Sequence, residues 1–188
     1  MTAGRAPGQG SLGPTVARFD ERADALLEAV RGNPVADRLF ATASRIGDWS
    51  LVWHIVSVLR GVAKRRPDQV VALAVALGAE SLIVNQGIKR IFRRARPTPS
   101  GDPRFPVRKP STSAFPSGHA SSAAFAATIL SAWDGRRTRP MWWGLAAVVG
   151  TSRAYVRIHH ASDVIAGAIV GAGLGTLAVR LLRRAGMD

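Results

Sequence analysis

The sequence predicts an all-α fold: a polytopic membrane helix bundle of about five transmembrane helices, preceded by amphipathic helices. Three observations support this fold class. Apolar residues make up 47% of the 188 residues and occur in long blocks, and most arginines lie between the blocks. The blocks are rich in glycine and alanine, which allow close helix contacts in lipid. The sequence shows neither the alternating pattern of a β-strand nor a tandem repeat.

A strong positive charge accompanies this pattern. Lys and Arg number 26 against 12 Asp and Glu, and only three of the cations are lysines. Such an excess indicates an anionic partner, which is a nucleic acid, a membrane surface or a phosphorylated substrate. The chain contains no cysteine, which excludes disulfide bonds.

The first 46 residues differ in composition from the rest. Residues 1–17 are rich in Gly, Pro and Thr and lack an apolar core, so we interpret them as a disordered tail and not as a signal peptide. Residues 18–46 mix apolar and charged positions at helical spacing, and Asn33-Pro34 divides them into two short helices. Such helices lie at a membrane interface or form a soluble hairpin, and the pattern allows both.

Residues 47–188 contain the membrane core. Its five apolar blocks are approximately Trp49–Ala63, Val70–Ile88, Ala120–Trp133, Met141–Thr151 with an extension to Ile158, and Val164–Leu182. A bilayer core requires about 20 helical residues. The second and fifth blocks meet this length alone, whereas each of the others also fits a buried helix of a soluble protein. Five blocks in succession favour the membrane. In the fifth, Gly167 and Gly171 form a Gly-x-x-x-Gly step suited to helix packing.

The connectors alternate between the two sides of the predicted bundle. One side carries residues 60–66, 134–140 and 180–188, and the other carries residues 89–116 and 153–160. Both sides are basic, so a count of positive charges does not decide the orientation. If the arginines of the second side bind phosphate, they are not topological signals. The first side is then cytoplasmic and the second extracytoplasmic.

Three polar clusters lie on that second side, each at the end of an apolar block. The first spans residues 89–97 and contains five cations: Lys89, Arg90, Arg93, Arg94 and Arg96. Five cations that close a membrane helix are typical of a topological anchor. They also suit phosphate binding, because Arg96 offers a planar fork of donors and Lys89 a compact charge.

The second cluster is Pro116-Ser117-Gly118-His119, directly before an apolar helix. Ser117 is a suitable helix cap, and a helix N-terminus presents free N–H groups to an anion. Gly118 allows the backbone to approach an oxyanion closely. His119 stands where an imidazole can donate a proton to a leaving oxygen. The alternative is a helix cap with an incidental histidine.

The third cluster runs from Ser152-Arg153 to His159, His160 and Asp163. His159 and Asp163 are four residues apart, so they share one face of a helix. A carboxylate bound to one imidazole nitrogen fixes the tautomer and leaves the other nitrogen free to attack. On spacing alone His160 competes for this role. Two interfacial histidines that cap a helix are the alternative without catalysis.

A metal site is the rival interpretation of these polar groups. His119, His159, His160 and Asp163 are all possible ligands. The surrounding arginine and lysine side chains repel a divalent cation, and no carboxylate cluster accompanies the histidines. We therefore predict no metal ligands among them.

Taken together, the three clusters resemble the signature of the type 2 phosphatidic acid phosphatase superfamily, which includes lipid phosphate phosphatases and vanadium haloperoxidases. The signature has Lys and Arg-Pro separated by six residues, then Pro-Ser-Gly-His, then Ser-Arg, His and Asp separated by five and three residues. The chain fits each spacing with Lys89 to Arg96-Pro97, Pro116–His119, and Ser152-Arg153 to His159 to Asp163. The resemblance covers the chain from about Asp48 onward.

The resemblance implies a role for each residue and selects His159 over His160. His159 attacks phosphorus to form phosphohistidine, His119 protonates the leaving group and later activates water, and Asp163 orients His159. These three are the candidate catalytic residues. The implied phosphate-binding residues are Lys89, Arg96, Ser117, Gly118 and Arg153. No metal and no organic cofactor are implied, and residues 47–188 are a membrane phosphatase core.

One feature departs from the family pattern. Membrane members commonly have six spanning helices, and we count five, because only the amphipathic residues 18–46 precede the core. All helices that carry the motifs are present. The N-terminal region then lies on the active-site side or packs along the membrane.

The sequence therefore predicts a metal-independent integral-membrane phosphatase that hydrolyses a phosphate monoester or diphosphate of a lipid. The substrate classes are polyprenyl diphosphate, phosphatidic acid, phosphatidylglycerol phosphate and polyprenyl-phosphoryl sugar phosphate. The additional cations Arg90, Arg93, Arg94 and Arg157 favour a multiply charged head group or bind anionic lipid. The predicted partners are this lipid and the membrane, without nucleic acid and with no oligomeric state assigned. The predicted location is the cell membrane, multi-pass, with the active site on the extracytoplasmic face.

Two other functions fit parts of the sequence. A non-catalytic basic membrane protein that binds anionic lipid or nucleic acid fits the charge, but it does not require two histidines and an aspartate at these spacings. A haloperoxidase that holds vanadate in the same pocket fits the motifs. Those relatives are soluble and larger, so the five apolar blocks argue against it.

Overall fold

The structure is a computed structural model that describes residues 12–98, 102–108, 110 and 112–187. This part of the chain forms seven α-helices: α1 (Pro14–Glu28), α2 (Pro34–Ile46), α3 (Leu51–Lys64), α4 (Pro67–Ile91), α5 (Gly118–Asp134), α6 (Arg139–Tyr155) and α7 (Ala161–Arg184). The last turns of α4 include a π-helical stretch, Leu82–Ile88. The same residues contain no β-strand, so the predicted all-α fold is confirmed.

The N-terminal region forms a helical hairpin whose ends are set by two prolines. Pro14 begins α1, since its fixed φ suits the first helical position. Residues 14–17, predicted as part of a disordered tail, are therefore helical, and residues 1–11 lie outside the described residues. Asn33 caps α2, where its Oδ1 accepts the N–H groups of Val35 and Ala36 at 3.0 and 3.2 Å. The predicted break at Asn33-Pro34 is thus present.

The central helix of the bundle is α5. Its sequence is almost entirely small or apolar, and eleven of its 17 residues are buried. The helices α6 and α7 pack along it, and α3 and α4 contribute Trp53, Leu73 and Leu77 to the same core. A helix that is apolar on all sides is covered on all sides. The N-terminus of α5, at the second motif, is therefore held by several neighbours.

Glycines on α7 bring it directly against α5. A Cβ atom at Gly167 would clash with the backbone oxygen of Ser117, and one at Gly171 would clash with that of Ser121. Gly173 faces away, because nothing lies within 4 Å of its Cβ position. The predicted Gly-x-x-x-Gly packing is therefore present, and it presses α7 onto the turn that precedes α5.

The outer surface of the bundle is apolar. The helices α4, with 25 residues, and α7, with 24, are long and apolar enough to cross a bilayer. Only 22% and 17% of their most apolar windows are buried inside the bundle. Large apolar side chains also point outward from α3 and α6, among them Val62 and Met141. Water-soluble proteins rarely expose apolar surface on this scale, so the outer faces suit lipid.

The polar connectors gather at opposite ends of the bundle. At one end, Arg60 and Asp134 form an ion pair at 2.9 Å, and the Trp133 indole donates to the backbone oxygen of Met187 at 2.8 Å. At the other end, Ser117 donates its backbone N–H to the backbone oxygen of Asp163 at 2.9 Å. The three motif clusters therefore share one end, and the three remaining connectors share the other.

The α5–α7 contact leads to a stability prediction. Gly171→Ala should lower the free energy of unfolding by about 1–3 kcal/mol, because the added methyl group forces two closely packed helices apart. Gly173→Ala is the matched control on the same helix, and it should be neutral or slightly stabilising, since its methyl group meets open space. Thermal unfolding of both variants in detergent measures the difference. Equal unfolding temperatures would contradict the packing.

Candidate active site

The eight predicted site residues come from six segments that meet at one end of the bundle. Lys89 lies near the end of α4, and Arg96 lies in the extended segment that follows it. Ser117, Gly118 and His119 form the N-terminal turn of α5. Arg153 lies in the last turn of α6, His159 in the link to α7, and Asp163 in the first turn of α7. Five of these residues are buried, with exposures of 7% or less: Lys89, Ser117, Arg153, His159 and Asp163.

The ring of His159 is held between a carboxylate and a guanidinium group. Its Nδ1 lies 3.6 Å from Asp163 Oδ2, and its Nε2 lies 3.3 Å from Arg96 Nη1. A carboxylate only accepts hydrogen bonds and a guanidinium only donates them. Both neighbours therefore favour the tautomer that carries its proton on Nδ1 and a lone pair on Nε2.

Burial keeps this ring neutral. It lowers the pKa of His159 to about 3, and the charges of Arg96 and Arg153 act in the same direction, while Asp163 opposes them. The imidazole is therefore unprotonated near neutral pH, which is the form that can attack phosphorus.

The backbone around His159 is fixed by a tight link between α6 and α7. The backbone oxygen of Arg153 accepts the N–H groups of both Ile158 and His159, at 3.1 and 3.0 Å. Arg157 adopts a left-handed conformation with φ 57° to allow this turn. The carboxylate of Asp163 then accepts the N–H of His160 at 2.8 Å, as the third residue of a capping box. His160 is thus the N-cap of α7, whereas His159 faces Asp163 and Arg96.

Two arginines, Arg153 and Arg96, lie close enough to His159 for their charges to act on it. Arg153 is fully buried and donates from Nη1 to Ser44 Oγ at 2.5 Å, but its Nε and Nη2 have no hydrogen-bond partner in the described part of the chain. Arg96 is fixed by the backbone oxygens of Ile158 and Thr112, both at 2.9 Å. Unpaired buried N–H groups are rare, and they indicate a place for an anion.

The α5 N-terminus completes this group of donors. Ser117 caps the helix, with its hydroxyl accepting the N–H of Ala120 at 3.5 Å. A Cβ atom at Gly118 would stand 3.5 Å from Lys89 Nζ and 3.2 Å from Asn85 Oδ1. The absence of a side chain therefore leaves room between Lys89 and the free N–H groups of the helix start. Such a helix start attracts anions through its dipole.

His119 has a partner that the sequence motifs do not contain. Its Nε2 lies 3.3 Å from Asp48 Oδ1 and 3.1 Å from the backbone oxygen of Ser44. Gly47 makes room for this ring, since a Cβ atom there would contact it. Burial raises the pKa of Asp48, but the hydrogen bond and charge of His119, together with the charges of Arg153 and Arg108, hold that pKa below its ordinary value. The sequence gives one indication, an acidic residue at the start of an apolar block.

Two of the additional cations are engaged by carboxylates within the protein. Arg94, at 3% exposure, donates to Asp163 Oδ1 at 2.5 Å and to Asp20 Oδ2 at 2.6 Å. Arg157 pairs with Asp24 and Glu28 at 2.9 and 3.0 Å. These ion pairs argue against the interpretation of Arg94 and Arg157 as binders of a head group or of anionic lipid. Acids of α1 pair with both arginines, Asp20 with Arg94 and two further acids with Arg157.

The N-terminal hairpin packs against the site. Arg31 donates to the backbone oxygens of Tyr155 and Ala154, at 2.8 and 3.1 Å, and so caps the end of α6. Three of the four acids of α1, at positions 20, 24 and 28, form a stripe along one helix face, and all three bind arginines. An acidic stripe in a chain of net charge +14 is the sequence feature that could have indicated this docking. The N-terminal region therefore lies on the active-site side, which is one of its two predicted positions.

No group of three or more possible metal ligands occurs among the described His, Asp and Glu residues. The charges of Lys89, Arg96 and Arg153 are close enough to act on one another, which disfavours a divalent cation at the same place. The arrangement is instead suited to a group with two negative charges, such as a phosphoryl group.

The α-helical bundle thus holds a neutral histidine, a neighbouring carboxylate and several cations at one end, an arrangement suited to phosphate chemistry. The family model described as the PAP2 superfamily matches residues 69–187, and the chain belongs to this superfamily. The resemblance inferred from the three motifs is thereby confirmed.

Relatives and solved structures agree with this assignment. The chain is 35% identical to a decaprenylphosphoryl-5-phosphoribose phosphatase of Mycobacterium tuberculosis over 147 residues, which are 74% of this chain and 78% of the relative. It is 29% identical over 136 residues to an undecaprenyl-diphosphatase of Sulfolobus acidocaldarius, covering 69% and 63%.

Among solved structures, a transmembrane PAP2-type phosphatidylglycerolphosphate phosphatase from Bacillus subtilis has a TM-score of 0.72 at 20% identity, covering 92% of this chain and 89% of that one. Aquifex aeolicus LpxE has a TM-score of 0.70 at 21% identity, covering 94% and 99%. The fold is therefore that of a PAP2 membrane phosphatase. These comparisons confirm the predictions of a lipid phosphate phosphatase and of membrane localisation.

Proposed function

We propose that the chain hydrolyses its lipid phosphate through a phosphohistidine on His159, without a metal ion. The observation that carries this proposal is the buried, neutral His159 ring, whose Nε2 faces Arg96 while Asp163 stands at Nδ1. An imidazole in this tautomer is a ready nucleophile. The cations around it take the place that a metal ion has in other phosphatases.

In the first step, Nε2 of His159 attacks phosphorus and the bond between phosphorus and the leaving oxygen breaks. His119 donates a proton to that oxygen, so the dephosphorylated lipid leaves as a neutral alcohol or as a phosphate. Nε2 of His119 is engaged by Asp48 and Ser44, which makes Nδ1 the nitrogen available for this transfer. In the second step, His119 takes a proton from water, the water oxygen bonds to phosphorus, and the P–N bond to His159 breaks.

The phosphoryl oxygens are held by Lys89, Arg96, Arg153 and the N-terminal turn of α5 at Ser117 and Gly118. Charge in phosphoryl transfer is spread over three equatorial oxygens, so donors that converge from several directions stabilise the transition state. The Nε–H and Nη2–H groups of Arg153 have no partner among the described residues, so they are free to bind the phosphoryl oxygens.

The substrate that we propose first is a polyprenyl-phosphoryl sugar phosphate. The 35% identity with the mycobacterial phosphatase supports it, over about three quarters of each chain. A cavity of about 1020 Å³ also opens beside the site and is lined by Arg90, Arg93, Arg96, Thr112 and others. It suits a head group that keeps a second phosphate after the first is removed. A polyprenyl diphosphate is the second candidate, supported by the relative from Sulfolobus acidocaldarius.

We further propose a multi-pass arrangement in which α3 to α7 span the membrane and the hairpin of α1 and α2 covers the active-site end. The gathering of the connectors at two opposite ends supports this arrangement. The active site then faces the extracytoplasmic side, because its cations bind phosphate and the remaining basic end obeys the positive-inside tendency.

The covalent step gives a direct prediction. His159→Ala should abolish phosphate release and prevent labelling of the protein by a radioactive lipid phosphate, because it removes the proposed nucleophile. His160→Ala is the control at the neighbouring position and should keep labelling, since the N–H of the residue at this position still donates to Asp163 as the N-cap of α7. Acid-labile label recovered after rapid quenching measures both. Turnover by His159→Ala would exclude the mechanism.

The substrate class can be decided by phosphate release in detergent with a chelator present. We expect the polyprenyl-phosphoryl sugar phosphate to have the highest kcat/KM among the four predicted lipid classes. Arg93→Gln should lower kcat/KM for the polyprenyl-phosphoryl sugar phosphate more than kcat/KM for phosphatidic acid. Arg93 lines the cavity, and phosphatidic acid has no second phosphate to bind there. A higher kcat/KM for undecaprenyl diphosphate would favour the second candidate.

Sidedness can be tested cleanly because the chain has no cysteine. Pro106→Cys, exposed at the active-site end, should react with a membrane-impermeant maleimide in intact cells. Arg137→Cys, exposed at the opposite end, should react only after the cells are opened. The reverse pattern would show that the active site is cytoplasmic.

A further inference from the structure

Arg94 joins the N-terminal helix to the carboxylate that faces the candidate nucleophile. Its Nη1 donates to Asp163 Oδ1 at 2.5 Å, and its Nη2 donates to Asp20 Oδ2 at 2.6 Å. The exposures of Asp20, Arg94 and Asp163 are 2%, 3% and 0%. The three groups therefore form one buried chain of charges, from α1 to the first turn of α7.

Asp20 is bound from a second direction by the same turn. Its Oδ1 accepts the backbone N–H of Ser162 and its Oδ2 accepts the Ser162 hydroxyl, both at 2.8 Å. Ser162 precedes Asp163 directly, and its hydroxyl oxygen also accepts from Arg94 at 2.7 Å. Asp20 thus holds both the guanidinium group and the backbone beside Asp163.

The charges in this chain affect the reaction and not only the packing. When Nε2 of His159 bonds to phosphorus, the ring becomes positive, and Asp163 stabilises it through its negative charge. Arg94 alone would neutralise that charge, since an arginine at 2.5 Å withdraws electron density from the carboxylate. The second carboxylate, Asp20, balances Arg94, so that Asp163 keeps its attraction for the ring.

We propose that Asp20 and Arg94 are positioning residues of the active site, which act on His159 through Asp163. The inference rests on the proposed role of His159 as nucleophile. Arg94 fixes Oδ1 so that Oδ2 faces the ring, and Asp20 holds Arg94 and compensates its charge. The N-terminal helix is accordingly part of the active site and not only a helix at the membrane interface.

Asp20→Asn is the decisive variant, because it keeps the shape of the side chain and removes its charge. We expect kcat to fall about 10-fold or more with KM changed less than about 2-fold, since small misplacements of a catalytic group cost up to about 10²-fold in rate. The rate of phosphohistidine formation in single-turnover experiments should fall by the same factor. Arg94→Lys should lose nearly as much, because one ammonium group does not bridge two carboxylates in the manner of the guanidinium fork.

Asp24→Asn is the matched control, one turn further along α1. Asp24 also ties α1 to the bundle through its ion pairs with Arg31 and Arg157, and neither of these pairs involves Arg94 or Asp163. Its variant should keep kcat within about 2-fold, as expected for a change outside the catalytic groups. Equal kcat values for Asp20→Asn and Asp24→Asn would overturn the inference. So would an Asp20→Asn variant whose unfolding temperature falls while its kcat is unchanged.

The failure of this inference is distinct from failure of the proposed mechanism. If His159→Ala retains turnover, the nucleophile is assigned wrongly and the role of Asp20 falls with it. If His159→Ala is inactive and Asp20→Asn keeps full kcat, only the positioning role is wrong. If Asp20→Asn does not fold, the kcat of the folded Arg94→Lys variant decides, and an unchanged value contradicts the proposal.

Discussion

The geometry of the active-site end depends on Asp163. Its carboxylate accepts the N–H of His160 and a guanidinium N–H of Arg94, and it faces the ring of His159. Its backbone oxygen accepts the N–H of Ser117. One residue therefore sets the proposed nucleophile, the N-terminal turn of α5 and the N-terminal helix relative to one another. A carboxylate without solvent exposure is tolerated only because donors reach both of its oxygens. The close approach of α7 to α5 at Gly167 brings Ser117 to this position.

The parts of the site that are predictable from sequence are those made by neighbouring residues. The step of four residues from His159 to Asp163, the Ser117 cap and the break at Asn33-Pro34 each follow from the geometry of one helix turn or one helix end. The helices of the core follow from the lengths of the apolar blocks. The start of α1 at Pro14 was also encoded locally, by a proline at the first helical position, but the composition of residues 1–17 hid it.

The partners that sequence reasoning missed are distant in the chain. Asp20 and Arg94 are 74 residues apart, and Arg31 and Tyr155 are 124 residues apart. No spacing rule connects such positions, and charged residues on an amphipathic helix are ordinarily assigned to solvent. Here the polar face of α1 is turned inward, because the active-site end offers buried arginines and backbone oxygens in place of water. The indication in the sequence is the excess of cations over acids, which favours ion pairs between the few acids and the arginines of the active-site end.

The acids of α1 also determine which cations remain for the substrate. Arg94 and Arg157 are paired with carboxylates, whereas Arg153 keeps two N–H groups without a partner among the described residues. An unsatisfied buried donor costs about 1–3 kcal/mol, and a phosphoryl group would satisfy these two N–H groups of Arg153. If Arg94 and Arg157 were also unpaired, the repulsion within the site would be larger and the substrate phosphate would be held equally by cations that play no part in the transition state. Binding energy spent in this way lowers KM without raising kcat. By pairing with those two arginines, the acids of the N-terminal helix lower the unpaired positive charge beside the proposed nucleophile.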